Sequence, residues 1–198
     1  MINQLLIIVF AYLVGSISTG IITSRFFNLP DPRTMGSKNP GATNVMRTGN
    51  KKAAIFTLLG DLLKATFVLL IASNLGFDGY SIIFVSLAVL IGHIFPIYYK
   101  FRGGKGVATA VGILITLNFK LALIVVCIWV FVFLIFRYSS LAAIVASISA
   151  PLIGIFILND QSLNNFTYVM ITSIILMTHQ KNIKNLISGK ELKFKKRS

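Results

Sequence analysis

"VATAVGILITLNFKLALIVVCIWVFVFLIF", residues 107–136, is a nearly unbroken apolar run, and how often it crosses a bilayer decides the fold. As one helix it would reach roughly 45 Å, against a hydrocarbon core of about 30 Å. "LNFKL", 117–121, interrupts it with an Asn and a Lys. It is therefore one long tilted helix or two short ones that thin the bilayer locally. Charge separates the two accounts, because Lys and Arg collect on the cytoplasmic side of membrane proteins. Other apolar spans lie near 2–24, 53–73, 80–99, 141–158 and 165–180. If both halves of 107–136 cross, residues 25–52, 100–106, Arg137 and the tail from Lys181 share one side. That side then holds every one of the 19 cations except Lys64 and Lys120. If the run crosses once, Arg137 and the tail cations move to the side of Lys120. The expectation is an all-α polytopic integral membrane protein of about seven helices, amino terminus outside and carboxyl terminus cytoplasmic. Residues 1–198 are expected to form one membrane-embedded domain.

Composition agrees with a bilayer. The 198 residues are 56% hydrophobic and 12% charged, with a mean hydropathy of +0.83. A water-soluble domain of this size could not hide that much apolar surface. The net charge of +14 suits anionic lipid, a topology signal or an anionic ligand ahead of nucleic acid, for which no partnership is expected. The single cysteine, Cys127, excludes an intrachain disulfide and a Cys-rich metal site, and reads as packing within a span. The first apolar stretch lacks a basic leader and a small-residue cleavage site, so it reads as a retained span.

Polarity gathers on the face expected to be cytoplasmic. "GSKNPGATNVMR", 36–47, offers Ser37, Asn39, Thr43 and Asn44 as neutral donors beside Arg47, whose planar fork suits phosphate. "GGKGVATAVGIL", 103–114, places Lys105 in a glycine turn that runs into a helix. Glycines such as Gly103 and Gly104 let amide N–H groups turn toward an anion, and the helix start adds its dipole. A basic turn that merely fixes topology is the competing account. "RYSSL", 137–141, and "HQKNIKNLISGKE", 179–191, carry similar mixtures.

Acids are few. Asp61 and Lys64 sit i, i+3 inside a span and can pair, either functionally or as a structural anchor. Asp31, Asp78 and Asp160 read as loop or cap residues. No carboxylate pair and no metal-ligand spacing is present, so no metal and no cofactor are expected. His93, in "IGHIFP", and His179 lie at the level of the glycine loops. His179 is the better candidate for ligand contact and His93 the more structural of the two. Such a site suits a substrate with a phosphate head and an apolar tail. A lipid-synthesising transferase and a transporter for a phosphate-bearing anion compete, with a scaffold protein third. A transporter would be expected to carry midplane polarity and repeats, so concentration at one face favours the enzyme.

These residues resemble the bacterial acyl-phosphate:glycerol-3-phosphate acyltransferases, the PlsY-type family, over nearly the whole chain. The resemblance runs through "YLVGSI" (12–17), Ser37, Asn39, Gly41, Ala42, Thr43, Asn44 and Arg47. It continues with Asp61, Lys64, Gly92, His93, Pro96, "GGKGVAT" (103–109), Tyr138, Ser140, Leu141, His179, Asn182, Ile183, Leu186, Gly189 and Glu191. Lys38 stands where the family usually has Gly, Asn185 where Arg is common, and Ala65 where Gly is common. The resemblance implies acyl transfer from acyl phosphate to the sn-1 hydroxyl of glycerol 3-phosphate, giving lysophosphatidic acid and phosphate. It implies the inner face of the bacterial cytoplasmic membrane, lipid surroundings, and the soluble enzyme that makes acyl phosphate as a partner. The HxxxxD motif of acyl-CoA-type enzymes is absent, since Tyr98 and Lys184 stand five after the two histidines. The expected roles put glycerol 3-phosphate on Ser37, Arg47, Lys105, Ser140, His179 and Asn182. Acyl phosphate falls to Thr43, Asn44 and loop amides, including those of Gly103 and Gly104. His179 or a substrate phosphate is the base, Lys105 contributes electrostatically, and Asp61, Lys64 and His93 stand behind the site.

Overall fold

The computed structural model describes residues 2–159 and 163–194, so Asp160 and the last basic residues of the tail lie outside it. Among the described residues the structure is helical, without strands. The long apolar run does break, at Asn118. That residue is extended (φ −157°, ψ 96°), and its side chain accepts from the Leu121 N–H at 3.1 Å. An N-cap in mid-run satisfies a donor that the new helix start would otherwise strand. The result is α6, Val107–Leu117, followed by α7, Phe119–Phe136.

Five described segments are long and apolar enough to cross a bilayer: Ile2–Phe26, Lys51–Asn74, Gly79–Tyr99, Phe119–Phe136 and Ser139–Phe156. Two further apolar helices are shorter, α6 and Leu163–Thr178. At 1.5 Å per residue, α6 reaches roughly 16 Å, about half the hydrocarbon thickness.

Two units divide between Thr116 and Leu117. The first holds α1 (Ile2–Gly15), α2 (Thr19–Phe26), α3 (Ala42–Met46), α4 (Lys51–Asn74), α5 (Gly79–Ile94) and most of α6. Within it α1 packs on α5, and α4 packs on α1, α2, α3 and α5. The span expected at 2–24 is not one helix, because Ser16–Ser18 separate α1 from α2. The Ile17 carbonyl, left outside both helices, accepts from Lys64 Nζ at 2.8 Å. The second unit holds α7, α8 (Ser139–Phe156), α9 (Leu163–Thr178) and α10 (Gln180–Ile187). Here α8 packs between α7 and α9, and α10 touches both α8 and α9.

On α4 the buried face carries mostly small or polar side chains, Ala53, Ala54, Thr57, Asp61, Lys64, Ala65 and Ala72, with Val68 and Leu69, while Phe56, Leu63, Phe67 and Leu70 are exposed. Small side chains let helices approach in lipid, and large apolar ones face the acyl chains. Cys127 is exposed on α7 and is not part of a packed core, contrary to expectation.

Candidate functional site

In the first unit the site begins with the loop between α2 and α4. Asn44 holds it together. Its Oδ1 accepts from the Ser37 N–H at 2.9 Å. Its amide nitrogen donates to the carbonyls of Pro32 (2.7 Å), Asn39 (3.0 Å) and Met35 (3.1 Å). Asn44 is 2% exposed. Two N–H groups serving three carbonyls mark a loop staple, so the expected role of Asn44 as a substrate donor is corrected to a structural one. Around it Ser37 is exposed, and Asn39, Thr43 and Arg47 are half-buried. Lys38 has φ +56°. That left-handed backbone is where a glycine would be relaxed.

Upstream, Arg33 grips Asp31 with a fork, Nη2 to Oδ2 at 2.7 Å and Nε to Oδ1 at 3.1 Å, and lies over the Tyr99 ring at 5.9 Å. Hydrogen bonding from Arg33 holds the Asp31 carboxyl below its ordinary pKa of 3.8, and the same contact raises that of Arg33.

The second element is the glycine loop after α5. Here Gly103 N–H donates to the Ile94 carbonyl at 3.1 Å and Gly104 N–H to the His93 carbonyl at 3.0 Å. These two amides serve the protein, so the expectation that they turn toward an anion is corrected. Their glycines are needed for closeness instead. A Cβ on Gly103 would strike the His93 carbonyl, and one on Gly104 would strike His93 Nε2. The left-handed positions fall at Lys100, Phe101 and Gly106. Lys105, half-buried, follows the pinned pair directly.

Behind the loop lies an ionic cluster inside the helices. Lys64 Nζ lies 2.9 Å from Asp61 Oδ1, 3.0 Å from His93 Nδ1 and 2.8 Å from the Ile17 carbonyl. The expected Asp61–Lys64 pair is therefore present. An ammonium has three N–H donors, and here they have three acceptors. Nδ1 of His93 also lies 3.3 Å from Asp61 Oδ1, but the shorter contact is to a group that only donates. Nδ1 is thus the acceptor, and the ring hydrogen sits on Nε2, the edge that faces Gly104.

In the second unit Ser140, His179 and Asn182 are all buried. Both Ser140 Oγ and Asn182 Nδ2 donate to Glu191 Oε1 at 2.7 Å. Glu191, the chain's only glutamate, was not among the expected site residues. Its signal was there, a lone acid in a cationic tail. The segment carrying it is docked further along, where Phe194 N–H donates to the Arg137 carbonyl at 2.9 Å and its ring meets Phe133 at 5.7 Å. His179 Nδ1 lies 2.8 Å from the Ile175 carbonyl. A carbonyl only accepts, so Nδ1 carries the hydrogen and the lone pair of the neutral ring is on Nε2. Among the described residues no cluster of three metal-ligating side chains occurs.

Fold and residues together define an all-helical integral membrane protein with two polar constellations, the first of them glycine- and cation-bearing. The family model described as glycerol-3-phosphate acyltransferase matches residues 5–189. A glycerol-3-phosphate acyltransferase of Cupriavidus pinatubonensis (strain JMP 134 / LMG 1197) is 46% identical over 192 residues, 95% of each chain. One of Coxiella burnetii (strain CbuG_Q212) is 46% identical over 188 residues, 95% of this chain and 96% of its own. The crystal structure of PlsY (YgiH), an integral membrane glycerol 3-phosphate acyltransferase, in its glycerol 3-phosphate form, is similar with a TM-score of 0.90. Identity to it is 38%, with 98% of this chain and 96% of that one covered. Its lysophosphatidic acid form gives 0.89 and 36%, with the same coverage. The chain belongs to the glycerol-3-phosphate acyltransferase family.

Proposed function

We propose that the protein transfers a fatty acyl group from acyl phosphate to the sn-1 hydroxyl of glycerol 3-phosphate. Acyl phosphate is a mixed anhydride and already activated, so no covalent enzyme nucleophile is needed. The hydroxyl oxygen attacks the acyl carbon, the carbon–oxygen bond to phosphate breaks, and lysophosphatidic acid and phosphate leave. The observation that carries the reading is His179, whose Nδ1–H is committed to the Ile175 carbonyl at 2.8 Å. We assign Nε2, where the neutral ring then carries its lone pair, to take the hydroxyl proton.

Both substrates are phosphate anions, which accounts for the cations. As the sequence pattern has it, Ser37, Arg47, Lys105, Ser140, His179 and Asn182 are assigned to glycerol 3-phosphate. Acyl phosphate is assigned to Thr43 and the loop that Asn44 shapes, with Asn39 beside it. Stabilisation of the developing oxyanion by fixed donors is the main contribution of the protein. Gly103 and Gly104 act by letting the Lys105 loop close onto α5. The proposal includes a multi-pass protein of the bacterial inner membrane, working at the cytoplasmic face in series with the soluble enzyme that supplies acyl phosphate.

The deciding assay gives purified protein glycerol 3-phosphate with acyl phosphate, and separately with acyl-CoA. Product from acyl phosphate alone, without CoA, ATP or a divalent metal, is expected; dependence on acyl-CoA or on a restored metal refutes the donor or the metal-free chemistry. For topology, Cys127→Ser supplies the background. A cysteine at Lys120 should react with an impermeant thiol reagent from outside intact cells, and one at Arg102 should not. Protection at position 120 refutes the seven-crossing arrangement.

A further inference from the structure

A buried ion pair in a lipid-facing helix demands a reason. Charged groups within a span are costly to insert, and Asp61 and Lys64 are 2% and 8% exposed. Their network leads toward the glycine loop. Lys64 holds His93 at Nδ1 (3.0 Å), the opposite edge of that ring lies against Gly104, and the His93 carbonyl accepts from the Gly104 N–H at 3.0 Å. The next residue is Lys105. We infer that Asp61, Lys64 and His93 form a buried post that fixes the height and aim of the Lys105 loop, His93 being a positioning residue that acts through Gly104. This rests on the reading of Lys105 as a ligand of the glycerol 3-phosphate phosphate.

Three features of the geometry support the post. The contacts reach the loop by two routes, the His93 carbonyl and the ring, and a side-chain variant of His93 removes only the second. Glycine is required at 104 because the imidazole occupies the space of a side chain. Finally, the ring itself has no freedom to turn. Lys64 is locked by the Ile17 carbonyl and Asp61 at 2.8 and 2.9 Å, so its third N–H points at one place.

The test compares initial rates of the purified full-length protein and its variants, varying glycerol 3-phosphate and acyl phosphate separately. With His93→Ala the KM for glycerol 3-phosphate is expected to rise about tenfold, with kcat and the KM for acyl phosphate within about twofold, the pattern of lost substrate binding. His93→Gln, which keeps an amide near the Nε2 position, should recover most of the loss. In a Lys105→Ala background, removing His93 should add less than about twofold, because residues acting through one contact are not additive. Gly104→Ala leaves the post whole and pushes the loop off it, so it should raise the same KM by about tenfold or more. Independent multiplication of the His93 and Lys105 effects overturns the post. So does a raised KM in Lys105→Ala with none in His93→Ala or Gly104→Ala. An unchanged KM in Lys105→Ala overturns the phosphate reading of Lys105, and the post with it.

Discussion

His93 and His179 are both buried near the ends of apolar helices, and both are hydrogen-bonded through Nδ1, yet their partners make them opposites. His93 receives a hydrogen from an ammonium, and His179 gives one to a carbonyl. The first ring presents an N–H at its far edge and the second a lone pair. Identity of the side chain therefore says little, and the chemistry of the neighbour fixes the role. The donor-edged histidine stands against a glycine loop that needs holding. The acceptor-edged one caps α10, three residues before Asn182.

The largest effect expected from breaking this contrast is at His179. His179→Ala should lower kcat by about 10²- to 10⁴-fold, the usual contribution of a general base, with unchanged folding by thermal unfolding in detergent. A change confined to KM would transfer the base to a substrate phosphate. The next effect falls on stability. Lys64→Met removes the ammonium beside the buried Asp61, leaving it His93 Nδ1 at 3.3 Å, and should cost about 3–5 kcal/mol in unfolding. Replacing Asp61 by Leu in the same protein should recover a good part of that loss, whereas equal or larger damage in the double variant would mean the pair is itself strongly stabilising.

Lys105→Ala should reduce kcat/KM by about 10- to 150-fold, equivalent to roughly 1.5–3 kcal/mol for a bond to a charged group. Lys105→Arg should rescue it only in part, because a planar fork differs from a point charge. Near-normal kinetics in Lys105→Ala would leave the glycine loop with topology as its sole purpose. A smaller gain is expected at Lys38→Gly, which relieves a left-handed backbone and should stabilise the protein by about 1 kcal/mol; a loss would mean that the Lys38 side chain is needed. Smallest is the Asp31–Arg33 fork. Its carboxyl has a lowered pKa when folded, so its contribution is complete above the unfolded value and fades as pH falls through the folded one. At this half-exposed site the amount is at most about 1 kcal/mol. Asp31→Asn should flatten that acid limb of the stability curve and leave neutral pH nearly unchanged.

The division of the run 107–136 was legible because Asn118 is both polar and a strong helix starter. The ion pair was legible because i, i+3 spacing places two side chains on one helix face. The break at Ser16–Ser18 was not, since its compensating donor, Lys64, is far along the chain. Asn44 misled for a related reason. An amide in a polar loop has the same composition whether it grips a substrate or three carbonyls. Glycines 103 and 104 were read as turning amides toward an anion, whereas they sit against the carbonyl and the imidazole of His93, which no local pattern displays. Glu191 needed the same long-range information, its partner Ser140 lying 51 residues away.

The bond from Lys64 to the Ile17 carbonyl ties two histories together. A lineage that lost the lysine would strand a backbone carbonyl in hydrocarbon, where no solvent relieves it. One that mended the gap into a continuous helix would leave that ammonium with Asp61 and His93 but with one N–H unsatisfied. Either change alone is selected against, so the interruption in the first span and the charge in the second should be inherited as a pair. Where relatives differ at one of these positions, the other is expected to have changed with it.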